Sequence, residues 1–513
     1  LVHRGGGILP APSPPVNTLP RRILIGLLFA LGVARAVAYF AYAAHALPLP
    51  IEAFHLEAKM VLLAERVVLG ETLYPAWREY PHVADFFGPI YFGSVGLIGR
   101  AAGADIPALF LIGRAVTVAT GLIASAVVAV AAGRRYGRAA GLLAGIATIG
   151  SAPMAGYSVM VRPDVAAEMF GVAGFFLSRR RSAPGLVAAG VLLACAVLTK
   201  QTTAVFLLAA GLGLAAEGDW RRALALLGGT AALLAAVVGV VTASVEPRFA
   251  SCLMGESRTP WEASSLASTL SQVWMHAPDL LVFGVAGLVA WASGATGRRE
   301  PALAVLAAVL LASSVGLSAK RGAALNYYLS LRILEGLAAA ALWQSARVAG
   351  TRLRAAGLAA ALLLASCSMV PGLLFMVLQA DHAVATWEFL GAPPGMQMLG
   401  TYRALFRMAS APGARLLTDS GLIDLYHRDR AVFGDPWLLH MLAETGQLDL
   451  TVLRERADSG YYDLVVTTSP IEEPFYADYD FGLPMPVVER LRARYARVGV
   501  RDTLFFYRRR PSG

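Results

Sequence analysis

Carboxylates and cations stand at only a few places in this otherwise apolar chain, and their grouping suits acid–base work on a phosphate-bearing substrate. The densest group lies in residues 51–91, where Glu52, Glu57, Lys59 and Asp85 are set among aromatic side chains in IEAFHLEAKMVLLAERVVLGETLYPAWREYPHVADFFGPIY. A carboxylate within hydrogen-bond reach of a hydroxyl or amine can take its proton. A cation beside it can hold a leaving group as negative charge grows there. Three more polar clusters follow far along the chain: Arg162-Pro163-Asp164, Thr199-Lys200-Gln201-Thr202, and Lys320-Arg321-Gly322 through Asn326-Tyr327-Tyr328. Each has a structural reading beside the chemical one. Pro followed by Asp is an ordinary helix start, and a lysine interrupting an apolar run can snorkel to water.

Lysine usage sharpens the chemical reading. Only Lys59, Lys200 and Lys320 are lysines, so 41 of the 44 basic residues are arginine, and all three exceptions fall in these clusters. A compact ammonium and a planar guanidinium are not interchangeable toward phosphate. The three cysteines, Cys195, Cys252 and Cys367, form neither a disulfide framework nor a zinc pattern. Carboxylates without a ligand spacing leave a divalent cation open and name no metal site.

The elements that must position these groups are membrane helices. A chain of 513 residues with 57% hydrophobic and 15% charged residues and a mean hydropathy of +0.59 is too apolar for an ordinary water-soluble protein. Eleven apolar stretches are expected to cross, at 23–44, 107–131, 139–157, 165–177, 185–198, 202–216, 223–243, 279–292, 301–317, 327–342 and 355–377. Arginine clusters fall on alternate connections, at Arg134/Arg135/Arg138, Arg179–Arg181, Arg221/Arg222, Arg298/Arg299 and Arg347/Arg352/Arg354. Assigning them to the cytoplasm puts the N-terminus inside and all four polar clusters outside. The net charge of +10 is then topology signalling, with no nucleic-acid partner.

Within the first outer loop, 45–91, the spacing of Met60, Val61, Ala64, Val67 and Val68 predicts an interfacial amphipathic helix over 57–69, stopped by Gly70. Residues 86–103 are expected to be a second interfacial or re-entrant helix, because a crossing there would invert everything after it; a true span with a missed partner is the alternative. Charged residues inside the apolar stretches, Arg35, Arg114, Glu168, Arg332 and Glu335, point to a polar cavity within the bundle. Residues 1–22 read as a disordered cytoplasmic tail, followed by an apolar run long enough to remain as an anchor. From 394 to 513 the composition becomes that of a soluble α/β domain. Strands are expected at 415–418, 463–468 and 503–507, and helices at 437–445 and 486–495. Eleven crossings put this domain outside as well. Asp419-Ser420-Gly421 and Gly434-Asp435-Pro436 look like turns after strands, suited to binding an acceptor or covering the cavity.

The order of these pieces resembles the GT-C superfamily of polyprenyl-phosphate-sugar transferases, which includes protein mannosyltransferases and aminoarabinose transferases. The matching residues are E-A-x(11)-G-E-T-L-Y from Glu57 to Tyr74, then G-P-I-Y at Gly88–Tyr91, R-P-D, T-K-Q-T and A-K-R-G…N-Y-Y, together spanning Glu57 to Tyr328. The family often carries an Asp-Glu pair in the first loop. Here Leu56-Glu57 stands there, so one acid of the pair is kept, which leaves Glu57, Glu52 and Asp85 all open as the residue that does the chemistry.

The resemblance implies a polytopic α-helical membrane protein of about 11–13 spans in the cytoplasmic (inner) membrane, with a C-terminal extracytoplasmic α/β domain. It implies transfer of a sugar from polyprenyl phosphate to a lipid, glycan or protein acceptor of the cell envelope, with inversion at the anomeric carbon. It gives Glu57 as the base with Asp85 second. Lys59, Arg162, Lys200 and Lys320 would hold the lipid phosphate, and Asp164, Gln201, Asn326 and Tyr327 would orient sugar or acceptor. The alternative is a transporter or lipid-linked-sugar flippase. That alternative predicts internal repeats with interrupted helices in corresponding halves, and the sequence has no convincing repeat.

Overall fold

The computed structural model describes residues 18–51, 56–83, 85–253, 259–349, 352–390, 415–427, 435–473, 482–501 and 504–511. Glu52 and Gly434 fall outside them. The chain begins with α1 (Thr18–Ala46), α2 (Glu57–Val68), α3 (Pro89–Ala102), α4 (Ile106–Tyr136), α5 (Arg138–Ile149), α6 (Ala152–Tyr157) and α7 (Asp164–Ser178). It continues with α8 (Ala183–Thr199), α9 (Ala204–Ala216), α10 (Trp220–Ser244), α11 (Phe249–Leu253), α12 (Ala263–His276), α13 (Pro278–Ser293), α14 (Pro301–Leu317), α15 (Leu331–Val348) and α16 (Arg352–Leu390). The eleven apolar stretches expected to cross correspond one for one to α1, α4, α5, α7, α8, α9, α10, α13, α14, α15 and α16.

Four of these helices are individually long and apolar enough to cross a bilayer: Leu19–Ala46, Ile106–Tyr136, Trp220–Ser244 and Leu353–Leu378. The others are shorter and fill the bundle between them. A 12-residue helix such as α5 rises only about 18 Å, so it reaches its depth by packing on α4 and α15. Small residues permit that approach. At Gly336 of α15 an added Cβ would lie 2.0 Å from Thr148 Oγ1 of α5. Helices α12 and α13 meet at 91° across Ala277, so α12 lies across the end of the bundle while α13 runs into it.

Residues 86–103 fold into α3, whose 14 residues rise about 21 Å, short of the ~30 Å hydrocarbon core. It packs on α2, and the two share an apolar core with the start of α4, which fits an interfacial position. In α2 the buried face is Glu57 to Ala64, wider than the stripe read from the sequence because α2 is covered on its far side as well.

That cover is the C-terminal domain. Its helices are α17 (Gly421–Tyr426), α18 (Pro436–Glu444), α19 (Thr451–Asp458) and α20 (Met485–Arg494), and its strands are β1 (Leu416–Thr418), β2 (Leu464–Thr467), β3 (Tyr495–Arg501) and β4 (Leu504–Arg509). The sheet order is β1-β2-β4-β3, with β1 parallel to β2 and the other neighbours antiparallel. Strands β1 and β2 pair in parallel and are buried along their whole length, ending in Thr418 and Thr467, as parallel strands covered on both faces are. The expected strands match β1, β2 and β4, whereas β3 has no counterpart among them. Its sequence, Tyr-Ala-Arg-Val-Gly-Val-Arg, alternates small apolar residues with arginines, but β3 is an edge strand whose Val498 and Val500 stay exposed. Leu422, Leu425, Leu438, Met441 and Leu442 of α17 and α18 join the same core as α2 and α3. Tyr426 donates to Pro50 O at 3.0 Å.

Candidate active site

The four polar clusters converge at the end of the bundle that carries α2, α3 and the C-terminal domain. Here a cavity of about 420 Å³ is lined by Lys59, Arg162, Lys200, Gln201, Lys320, Asn326 and Tyr327, with Phe86, Phe87 and Trp437 among the apolar walls. Seven of the ten residues singled out from the sequence therefore share one space. An eighth, Asp164, lines a small adjoining cavity with Lys200, Asn326 and Tyr327. Glu57 and Asp85 line neither.

Asp164 opens α7 and is the anchor of the cation group. Its Oδ1 accepts a hydrogen bond from Lys200 Nζ, and Arg162 Nε donates to Oδ2 at 3.2 Å. Asn326 Nδ2 lies 3.5 Å from Oδ1. Lys200 ends α8 in an extended conformation, which turns its ammonium back toward Asp164 and 5.5 Å from the Tyr327 ring. Gln201 donates to Phe86 O at 2.5 Å, so it braces the first loop against α8. Lys320 follows α14 on a short bridge with Trp261. Burial and the neighbouring Lys200 ammonium both lower its pKa, which marks a place short of negative charge.

Lys59 Nζ is 3.0 Å from Asp435 Oδ2 and 5.9 Å from the Phe87 ring. Asp435 is also the N-cap of α18, where its Oδ1 accepts from Leu438 N at 3.1 Å. Counting Arg321, which pairs with Glu444 at 2.5 Å, five cations line the cavity while three carboxylates, Asp164, Asp435 and Glu444, meet them. Among the described residues two positive charges are left over, a balance that suits a phosphate dianion.

Glu57 is fully buried at the start of α2, and its two oxygens are committed. Oε1 accepts from Arg114 Nε at 2.9 Å and from Val161 N at 2.8 Å, and Oε2 accepts from Arg114 Nη2 at 2.8 Å. Arg114 also donates to the carbonyls of Ala46, Leu49 and Ile51. The pair thus ties the end of α1, the start of α2, α4 and the segment entering α7 into one knot.

Asp85 is equally buried but differently served. Oδ1 accepts from Phe87 N at 2.9 Å, while Oδ2 has no hydrogen-bond partner among the described residues. Burial pushes its pKa up to about 7, against the lowering effect of the Phe87 amide and of Lys59. Asp85 stands directly behind Phe86 and Phe87, both of which line the cavity.

The polar cavity expected inside the bundle takes another form. Arg332 pairs with Glu168 at 2.7 Å, and Arg35 Nη1 lies 2.7 Å from both Asp279 and Glu335. These charges consume one another, since an unpaired ion at that depth costs far more than a paired one. Glu168 alone also touches the small adjoining cavity.

Asp435 was expected only as part of a turn suited to binding an acceptor or covering the cavity, Arg321 only as part of a polar cluster, and Trp437 not at all. The signal for Asp435 was present as Asp-Pro at a helix start, but nothing in the sequence says that α18 faces the membrane module. Among the described residues no three His, Cys, Asp or Glu side chains converge as a metal site would need.

Solved structures with this architecture exist although no family model and no curated protein matches the sequence. ArnT from Cupriavidus metallidurans bound to undecaprenyl phosphate is 16% identical, covering 96% of this chain and 98% of its own, with a TM-score of 0.52. The archaeal oligosaccharyltransferase AglB from Archaeoglobus fulgidus, in complex with an inhibitory peptide and a dolichol-phosphate, is 14% identical. That match covers 90% of this chain and 72% of AglB, with a TM-score of 0.53. The likeness runs through the helical bundle and the domain that follows it.

Proposed function

We propose that this chain, which has the GT-C membrane fold, is a glycosyltransferase that moves a sugar from a polyprenyl-phosphate donor to a cell-envelope acceptor on the extracytoplasmic side of the cytoplasmic membrane. The observation that carries the reading is the surplus of two cations in a half-apolar cavity at one end of the bundle. Structures of the same fold hold undecaprenyl phosphate and a dolichol-phosphate, ligands that join a phosphate to a long apolar tail. The cavity joins ammonium groups to aromatic and aliphatic walls in the same way.

In this reading the donor phosphate lies against Lys200, Lys320 and Arg162, with Lys59 beside it. The acceptor oxygen or nitrogen attacks the anomeric carbon, a new bond forms there, and the bond to the phosphate oxygen breaks on the opposite side with inversion. The bonding pair leaves on the polyprenyl phosphate, where the cations meet the developing charge. The acceptor proton passes to a carboxylate. Asp85 is the better candidate for that base, reversing the order expected from the sequence. Its free Oδ2 and its near-neutral pKa suit proton transfer at physiological pH, whereas both oxygens of Glu57 already hold Arg114 and Val161. Lys200 is oriented by Asp164, and Asn326 and Tyr327 border the same space as the sugar.

The test is direct. Purified protein should bind polyprenyl phosphate, and the K320Q variant, which breaks no ion pair among the described residues, should bind it about tenfold more weakly while keeping its melting temperature. Equal binding by both proteins, or competition by the apolar tail alone without phosphate, would rule the site out as a lipid-phosphate site.

A further inference from the structure

The net charge of the chain is distributed in a way that membrane topology does not explain. Residues 490–510 contain eight arginines, at 490, 492, 494, 497, 501, 508, 509 and 510, against a single carboxylate, Asp502. Seven of the ten net positive charges of the whole chain therefore lie in 21 residues at the end of the C-terminal domain. The positive-inside rule concentrates arginine beside membrane helices on the cytoplasmic side. This group sits on a soluble domain whose α18 lines the cavity at the other end.

The fold gathers these arginines on one edge. They occupy the end of α20 and the two antiparallel strands β3 and β4, and β3 is the outermost strand, with no neighbour on its far side among the described residues. Arg490, Arg494, Arg497, Arg508, Arg509 and Arg510 are exposed, as are Val498 and Val500 of the edge strand. Carboxylates meet only two of the six: Arg490 lies 3.6 Å from Asp458, and Arg497 lies 3.5 Å from Glu472. Arg494, Arg508 and Arg509 meet none among the described residues. A bare field of one sign costs self-repulsion unless a partner of opposite sign meets it.

The position on the sheet selects the kind of partner. Helix α17, next to β1, docks on α2, and β1 and β3 are at opposite edges of the four-stranded sheet. Three strand spacings, about 14 Å, therefore separate the arginine edge from the edge that meets the membrane module.

We infer that this edge binds an anionic glycan, a polysaccharide bearing phosphate, sulfate or carboxylate groups, and tethers it as the acceptor at a distance from the cavity. The inference rests on the transferase reading for the acceptor's fate but not for the binding itself. The surface is open: consecutive Arg508 and Arg509 put charge on both faces of the β3–β4 edge and no closed pocket surrounds them among the described residues, so an extended, multiply charged occupant fits it better than a single small anion. Guanidinium groups favour planar oxyanions that they can grip with two donors.

The experiment uses the full chain in nanodiscs of zwitterionic lipid, titrated with dextran sulfate, with neutral dextran and with phosphatidylglycerol vesicles. Dextran sulfate should bind, with affinity falling as salt rises, and neutral dextran should not. The R494Q/R508Q/R509Q variant should bind about tenfold more weakly, and R494K/R508K/R509K should keep most of the affinity. R508Q alone, which breaks no contact among the described residues, should weaken binding about twofold if the triple variant proves unstable. Equal binding by wild type and the glutamine variants, or capture of anionic vesicles with no affinity for dextran sulfate, would overturn the inference. Polyprenyl-phosphate binding is measured on the same samples. Its loss with dextran sulfate binding intact would sink the transferase reading alone, and the reverse outcome would sink only the glycan edge.

Discussion

Glutamine at position 57 separates two roles that a loss of activity alone would confuse. Glu57 and Arg114 are both buried, joined by two hydrogen bonds at 2.8 and 2.9 Å, and Arg114 draws in three carbonyls besides. A glutamine keeps the size but not the charge, and it presents an amide N–H₂ where one oxygen now accepts from Arg114 or from Val161 N. Breaking one partner of a buried ion pair costs about 3–5 kcal/mol, since the other charge stays buried without compensation. In a chain of this size that should lower the melting temperature on the order of 5 °C, and turnover should fall because the loop carrying Lys59 loosens.

D85N should behave oppositely. A base worth 10²–10⁴ in rate disappears, but no ion pair is broken. The folded pKa of Asp85 lies above its ordinary value, from 3.8 to about 7, so the folded state holds the proton more tightly than the unfolded one. That contribution to stability is fully present below about pH 3.8 and is lost as pH rises through about 7, up to roughly 4 kcal/mol. D85N should therefore melt at or above wild type at pH 8. Thermal unfolding in detergent and single-turnover transfer from a polyprenyl-phosphate sugar, run on both variants, read the two effects separately. An E57Q protein with wild-type melting and no turnover, alongside a D85N protein that transfers normally, would make Glu57 the base and refute the reasoning.

Wild-type kcat/KM should rise about tenfold per pH unit below pH 7 and level off above it, and a flat profile between pH 5 and 8 would exclude Asp85. Leu56 adopts a left-handed conformation with φ 81°, which costs a non-glycine residue on the order of 1 kcal/mol or more. L56N should raise stability by about that amount, read by thermal melting, and an unchanged or lower melting temperature would count against strain there. Gly322 has φ +75°, and an added Cβ would meet the Trp437 ring at 2.2 Å. G322A should undock α18 from the cavity, seen as faster hydrogen exchange over residues 436–444 and a raised KM. D435N, which removes the partner of Lys59, should lower the Kd for polyprenyl phosphate several-fold if phosphate and Asp435 compete for that ammonium.

Much of the site was legible because membrane topology is. Arginine clusters on alternate connections assign each remaining connection to the opposite side, and that alone brings Lys59, Arg162, Lys200 and Lys320 to one end of the bundle, where they share a cavity. Periodicity and start signals likewise mark α2, α7 and α18, whose caps and apolar faces are local properties of the chain. Sequence also fixed the shortage of acids in the first loop, since Leu56 stands beside Glu57.

Only the tertiary structure decided which carboxylate is free. Glu57 and Asp85 look alike in sequence, but one is met by Arg114, 57 residues away, and the other by backbone amides of its own loop. A carboxylate's readiness to accept a proton is the sum of its burial and of charges delivered by distant segments, and no local pattern encodes that sum. The same holds for Asp435 and Trp437, which reach the cavity because α18 packs on a core it shares with α2. It holds too for the arginine edge, whose residues are a basic stretch in sequence and gather at one edge of the sheet because β3 pairs with β4.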